Sequence, residues 1–319
     1  MTTAVVLFNL GGPDSLDAVE PFLFNLFSDP DVLPFGPLSF LRRPVARIVA
    51  RRRSRTTRVY YEEIGGKSPL RELTLAQAAA LGRVLGDGFR TYVAMRYWHP
   101  FTEEALDAIV RDRCDRIVAL TLYPQYSLAT TKSSLDELHR VLRAKGVTVP
   151  VDVVDRFFDH APYLDVLAAH VEGALDGFGT GAAERVPVVF SAHGLPVKLV
   201  EAGDPYLEET RATMVGVLAR LPKVTSYLAF QSKVGPMKWL EPRTDDVLAN
   251  LAREGHRECL VVPVSFVSDH IETIHEVGIR FRRAVEPLGM TDLRLTPALN
   301  DDPAFIEALA ALVRAKAKA

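Results

Sequence analysis

Residues 258–281 read ECLVVPVSFVSDHIETIHEVGIRF. Cys259, Leu260, Val261, Val262 and Val264 form an apolar, mostly β-branched run, which predicts a buried strand. The sequence then turns polar, and Ser268 or Asp269 is a natural N-cap for a helix. On an α-helix Asp269, Glu272 and Glu276 fall at i, i+3 and i+7, which puts three carboxylates on one face with His270 and His275 flanking them. Like charges in a row cost stability unless a cation or protons offset them. The stretch therefore reads either as a solvated acidic helix start favoured by the helix dipole or as a functional site. Location supports the second reading, because ligands of α/β proteins bind where the carboxyl end of a strand meets a helix.

Outward from this stretch the same alternation repeats. Strands are predicted over 5–9, 91–96, 116–122 and 149–154 in the first half, and over 187–191, 224–231, 258–264 and 293–297 in the second, with helical segments between them. Strand–helix alternation implies parallel sheets covered by helices on both faces. The expected fold class is α/β, as two similar Rossmann-like domains, each a roughly four-stranded parallel sheet flanked by helices, with an active-site cleft between them. The expected boundary places residues 1–165 in an N-terminal domain and 166–319 in a C-terminal domain.

Composition narrows the function. With 48% hydrophobic and 24% charged residues the chain has the make-up of a soluble globular protein, and a net charge of −2 gives no reason to expect nucleic acid. The two cysteines, Cys114 and Cys259, lie far apart and form no CxxC pattern, which argues against a thiolate-held zinc or cluster. No uninterrupted apolar run reaches ~18 residues, so no segment is expected to span a membrane. GxGxxG, GxxxxGK[ST] and GxSxG are absent, which leaves nucleotide binding and a nucleophilic serine poorly supported. The GGP turn at 11–13 is expected to let a flat ligand approach the backbone. Residues 28–44, SDPDVLPFGPLSFLRRP, break regular structure with prolines yet are rich in Val, Leu and Phe, and Arg42, Arg43, Arg47 and Arg51 to Arg53 follow. An apolar tip with a basic collar fits contact with an anionic membrane surface; a solvated arginine-rich helix fits equally.

Six predicted strand ends carry polar or aromatic clusters: Asn9-Leu10-Gly11, Arg96-Tyr97, Tyr123 to Gln125, His193, Gln231 to Lys233, and Asp269 to Glu276. In parallel sheets those ends face one way and can converge on a pocket. Imidazole with several carboxylates and no thiolate suits a weakly held divalent metal or proton transfer. The aromatic residues Tyr97, Trp98, Tyr123, Tyr126, Trp239 and Phe266 suit a large flat ligand, or ordinary core.

Seven motifs carry a resemblance to a known family. FNLGGPDS, IGGKSPL, RYWHPFTEEAL, LYPQYS, SAHGLP followed by GDPY, QSKVGPMKWLEPRT and VPVSFVSDHIETIHEV resemble the ferrochelatases in order and spacing along nearly the whole chain. The resemblance implies insertion of Fe(II) into protoporphyrin IX with release of two protons, the last step of heme synthesis. By matched position, His193 and Glu272 are the inner pair, either of which binds the metal or accepts pyrrole protons, and Asp269, His270 and Glu276 form a polar path from them. Asn9, Leu10, Arg96, Tyr97, Tyr123, Ser127, Trp239 and Phe266 match porphyrin-contacting positions, Arg52 and Arg53 match basic positions near the propionates, and residues 28–44 match the membrane-facing lip. Some members carry a [2Fe–2S] cluster; Leu128 occupies the internal cysteine position and no late cysteines follow, so no cluster, no prosthetic group and a monomer are expected. The implied setting is cytoplasmic, with the lip on the inner face of the cell membrane and handover of porphyrin from the preceding pathway oxidase. Three alternatives remain: a coproporphyrin ferrochelatase making coproheme, a non-catalytic tetrapyrrole or metal carrier, and a cobalt or nickel chelatase on a related scaffold, which the seven motifs disfavour.

Overall fold

The computed structural model of the chain describes residues 2–32, 36–233 and 237–318. Leu33, Pro34 and Phe35 of the predicted lip, and Val234, Gly235 and Pro236 of the QSKVGP motif, lie outside the described residues.

Two four-stranded sheets hold the fold. β1 (Thr3–Asn9), β2 (Phe89–Met95), β3 (Arg116–Thr121) and β4 (Val151–Val154) line up in the order β2-β1-β3-β4. β5 (Val188–His193), β6 (Ser226–Gln231), β7 (Glu258–Pro263) and β8 (Asp292–Leu295) repeat that order as β6-β5-β7-β8. Every pairing is parallel. Parallel neighbours need long crossovers, and helices supply them, so the inner strands β1, β3, β5 and β7 are buried along nearly their whole length. In each sheet the second strand lies on one side of the first and the third on the other. The winding therefore reverses between β1 and β3, and again between β5 and β7. Such a reversal opens a crevice outside the carboxyl ends of those strands.

Helices complete each core. Val6, Phe8, Ile117 and Ala119 pack with Leu106 and Ile109 of the helix Thr102–Arg111 and with Leu138 and Val141 of the helix Ser133–Lys145. In the second sheet Val189, Ala229 and Val261 pack with Leu248 and Leu251 of the helix Thr244–Arg253 and with Val277 and Phe281. Those last two belong to Glu272–Phe281, which is a π-helix rather than the predicted α-helix.

The chain divides into two compact units, one of Met1–Leu122, Ser127–Asp155 and Ile306–Ala319, the other of Tyr123–Tyr126 and Arg156–Phe305. The division falls ten residues before the expected boundary at 165, because the helix Ala161–Asp176 packs on the helix Tyr206–Leu218 and on β7. The C-terminal segment also returns to the first unit. Arg116 Nη1 donates to Ala317 O at 3.0 Å, and Arg314 Nη2 donates to Val84 O at 2.6 Å.

In the first unit a buried carboxylate ties the ends of β2 to two helices. Asp29 Oδ2 accepts Arg96 Nη2 at 2.6 Å, Tyr97 OH at 2.8 Å and Ser133 Oγ at 2.6 Å. Arg96 Nε in turn donates to Ser133 Oγ at 2.7 Å. The Asp29 side chain is 1% exposed, so its charge has little solvent to fall back on. Arg96→Ala is expected to cost about 3–5 kcal/mol, because it strands that charge, and the urea-unfolding midpoint reads the loss. An unchanged midpoint would take Arg96 out of this structural role.

Candidate functional site

The residues that gather in the second unit do so at the β5/β7 reversal. His193 is the last residue of β5, and the π-helix that follows β7 begins at Glu272. His193 Nδ1 meets Glu272 Oε2 at 2.8 Å. The same oxygen accepts Ser232 Oγ at 2.9 Å and Gln231 Nε2 at 3.3 Å, both from the end of β6. Three donors on one carboxylate oxygen fix its position and favour its ionised form. Gln231 is itself held, since its Oε1 accepts Ser191 Oγ at 2.7 Å.

Charge balance follows from these contacts. Burial works against the Glu272 carboxylate, but the His193 imidazole, His270 and the Ser232 hydroxyl outweigh it and hold the group well below the usual carboxylate range. Burial likewise pulls His193 down, and the charges of Glu272 and Glu276 more than restore it, so its pKa lies above the ordinary 6.5. Glu276 goes the other way. Burial and the nearby Glu272 charge raise it, against the pull of Ser232 and Arg280.

Ser232 Oγ lies within hydrogen-bond reach of Glu272 Oε2 and of Glu276 Oε2. A hydroxyl has one hydrogen, so Ser232 can donate it to only one of the two carboxylates at a time. Arg280 pairs with Glu276 and, through Nη1 at 3.1 Å, with Asp245. Ser232 adopts φ +65°, a conformation uncommon for a residue with a side chain.

The path residues separate. A π-helix closes i→i+5 turns, and Asp269 precedes its first turn. Its carboxylate accepts Thr273 Oγ1 at 3.1 Å and Asn300 Nδ2 at 2.9 Å. The single face expected for Asp269, Glu272 and Glu276 is thus a pair, Glu272 with Glu276, plus an acid bonded elsewhere. His270 is buried against Phe266, ring centroids 4.0 Å apart, and Phe266 meets His193 edge-on at 6.0 Å. Burial lowers His270, which keeps it neutral. Its Nδ1 faces Ser268 O at 3.3 Å and so carries the hydrogen, and the buried Nε2 has no hydrogen-bond partner. Trp239 lies beside the end of β5, in a bridge with Pro196, and a Cβ built on Gly194 would come within 3.3 Å of its ring. Tyr123, in the 123–126 strap, is buried in the second unit.

The remaining expected porphyrin contacts lie in the first unit. Asn9 is buried; its Nδ2 donates to Thr74 Oγ1 at 3.1 Å and its Oδ1 accepts Leu10 N at 2.8 Å. Arg96 and Tyr97 serve Asp29, as described above. Ser127 Oγ accepts Ala129 N at 3.2 Å and caps the turn that follows. Arg52 and Arg53 are exposed on the helix Arg42–Glu63. The GGP glycines are needed for close packing: a Cβ on Gly12 would overlap the Ser68 side chain, and one on Gly11, at φ +85°, would lie 3.1 Å from Trp98 N. Sequence reasoning singled out neither Asp29 and Ser133 nor Arg280; Gln231 and Ser232 were visible only as polar residues at a strand end.

Among the described residues no three His, Cys, Asp or Glu side chains form a group that could hold a metal ion. His193 and Glu272 meet as a pair. The pair can exchange a proton, and it can offer one nitrogen and one carboxylate to a passing cation.

Comparison with known proteins places this geometry. The Ferrochelatase family model matches residues 2–317. The ferrochelatase of Geotalea daltonii is 53% identical over 312 residues, which cover 98% of this chain and 97% of that protein. That of Aquifex aeolicus is 43% identical, covering 98% of this chain and 99% of its own. Among solved structures, SirB from Bacillus subtilis with Fe3+ shares the fold at a TM-score of 0.61 and 12% identity, over 99% of this chain and 96% of its own. With the family model matched from residue 2 to residue 317 and relatives about half identical end to end, the chain belongs to the ferrochelatase family.

Proposed function

We propose that this chain inserts Fe(II) into protoporphyrin IX, with His193 as the base that takes pyrrole protons and Glu272 as its partner. Family membership makes the chain a metal-inserting enzyme with porphyrin and iron as substrates. The observation that carries the residue assignment is the 2.8 Å contact between His193 Nδ1 and Glu272 Oε2. Because Nδ1 is committed to the carboxylate, Nε2 is the nitrogen left to meet a substrate proton. An ionised Glu272 stabilises the imidazolium that forms. Through the Ser232 hydroxyl, Glu276 is the next carboxylate along this line of contacts. The QSKVGPMKWLEPRT and SDHIET motifs favour protoporphyrin over coproporphyrin. A carrier has no use for a base of this kind, so the pair also favours turnover over mere binding.

Anaerobic assay with Fe(II), or with Zn(II) in air, is expected to give the metalloporphyrin spectrum faster from protoporphyrin than from coproporphyrin. His193→Ala is expected to abolish insertion while porphyrin still binds. Near-normal insertion by that variant would remove His193 from the reaction, and faster coproporphyrin turnover would reverse the choice of substrate. We hold the enzyme to be a monomer, and to carry no [2Fe–2S] cluster, the latter on the ground that Leu128 stands at the internal cysteine position and the sequence has two cysteines. Light scattering and iron content of the same preparation check both points.

A second expectation comes from the His193 pKa. The group is raised above 6.5, so its proton is lost only above that pH, and insertion falls as pH drops through the raised value. NMR titration of the imidazole in metal-free protein should give a midpoint above 6.5. In Glu272→Gln the opposing charge is gone while burial stays, so the midpoint should move down. A midpoint that does not respond to Glu272→Gln would break the assigned partnership.

Peripheral contact with an anionic cell membrane, from the cytoplasmic side, completes the proposal. Its support is Phe40, 71% exposed, with Leu38, Leu41 and Ile48 also exposed beside Arg42, Arg43 and Arg47. Arg43 and Arg47 lie over the Phe24 ring at 5.7 and 5.4 Å. No helix among the described residues is long and apolar enough to cross a membrane. Burying one phenylalanine contributes about 1.5–3 kcal/mol, so Phe40→Asp is expected to weaken sedimentation with phosphatidylserine vesicles by roughly tenfold or more. Binding that ignores both this change and 0.5 M salt would rule the surface out.

A further inference from the structure

The β5–β7 ladder stops before β5 does. The last paired residues are Ser191 and Pro263, and the last ladder bond runs from Val264 N to Ser191 O at 3.1 Å. His193, two residues on, turns its N–H and C=O to the same side of the strand as Ser191, toward β7. A continued ladder would offer it Val264 O, but that oxygen accepts Gln125 Nε2 at 3.0 Å. The backbone groups of His193 must find other partners or remain unpaired next to the core.

Two side chains supply them in a closed ring. His193 N donates to Ser265 Oγ at 2.8 Å, and Tyr206 OH donates to His193 O at 2.9 Å. Ser265 Oγ and Tyr206 OH are 2.5 Å apart. The directions are fixed by counting hydrogens. A carbonyl cannot donate, so the Tyr206 hydrogen goes to His193 O; the Ser265 hydrogen must then go to the Tyr206 oxygen. Three hydrogens meet three acceptors with none left over. Ser265 and Tyr206 are both buried, and burial raises the Tyr206 hydroxyl pKa, which keeps it a neutral donor. Tyr206 is fixed in turn at the start of its helix, where its N–H donates to Asp204 Oδ1 at 3.0 Å.

We infer that Tyr206 and Ser265 are positioning residues for the metal-insertion reaction: their ring holds the backbone of His193 so that its imidazole keeps the geometry of the Glu272 contact. Both side chains bond the backbone of His193 rather than its imidazole. They act on the two main-chain groups that set where the Cα–Cβ bond points, at the residue where strand pairing no longer does so. The inference rests on the assignment of His193 as base. A base displaced by even about 1 Å can lose up to roughly a hundredfold in rate, so a ring missing one member is expected to show in turnover first.

Tyr206→Phe keeps the ring and the packing but removes one hydroxyl. Steady-state insertion of Zn(II) into porphyrin is expected to show kcat reduced ~10-fold or more, with the KM for porphyrin within about twofold. Ser265→Ala should behave in the same way, and Ser265→Thr, which restores a hydroxyl, should recover most of the rate. In a His193→Ala background Tyr206→Phe should cost nothing further. If Tyr206→Phe does not fold, the Ser265→Ala and Ser265→Thr pair decides. Wild-type kcat in Tyr206→Phe, or equal losses in the Ala and Thr variants at position 265, would overturn the inference. Activity retained by His193→Ala would instead defeat the base assignment, and the two failures are thereby distinguished.

Discussion

A parallel strand must hand its last backbone groups to something, and in the second unit that requirement falls on His193. β7 stops pairing at Pro263, and Gln125 claims the next carbonyl. On the other side, β6 carries the ladder through to Gln231, and Gly194 N still donates to Gln231 O at 2.8 Å. A Cβ on Gly194 would lie 2.7 Å from that same oxygen, so the close approach of the two strand ends depends on glycine there. His193 is thus held by a backbone neighbour on one side and by side chains on the other. The contact with Glu272, the donors Ser232 and Gln231, and the balance of charge around them all presuppose that position.

The first unit has the same strand order and uses its strand ends differently. Arg96 N and Tyr97 N donate to Asn9 O and Leu10 O at 2.9 and 3.0 Å, and Leu122 N donates to Phe8 O at 2.9 Å, so the pairing continues past the regular strands. The polar side chains there bind to the scaffold: Asn9 to Thr74 and its own neighbour, Arg96 and Tyr97 to Asp29. Topology supplies two equivalent reversal points. Residue chemistry ties the polar side chains of one into internal contacts and gives the other an imidazole and two carboxylates.

This contrast marks what the sequence could and could not reveal. All eight strands were legible, the four buried inner ones as apolar runs and the outer ones from the strand–helix alternation, and the clustering of polar residues just beyond them was legible too. The pairing of His193 with Glu272 followed from matched motifs. The helix type after β7 was not legible, since i→i+4 and i→i+5 closure draw on the same residues, and with it went the expected alignment of Asp269. The Arg96–Asp29 contact was not legible either, because the two residues lie 67 apart in sequence, beyond the reach of any local pattern. The boundary at 165 missed for a related reason: the helix Ala161–Asp176 belongs with whichever sheet its apolar face meets, and amphipathicity names the face without naming the partner.

The sparse donor set around His193 has a kinetic rationale. A metal that is a substrate must leave the protein for the porphyrin within each turnover. A site that holds an ion with nanomolar affinity stores about 12 kcal/mol. Even with association near the diffusional ceiling of ~10⁸ M⁻¹s⁻¹, such an ion departs at roughly 0.1 s⁻¹, slower than a typical turnover of about 10 s⁻¹. A third or fourth strong ligand would therefore turn a transfer site into a trap. One nitrogen and one carboxylate bind a cation less tightly, and the carboxylate is already shared among three hydrogen-bond donors, which weakens its hold further. On the proposed assignment, such a pair favours release of the iron. On the same assignment, the protons that leave the porphyrin as the metal enters meet an imidazole whose pKa is raised by the carboxylates beside it.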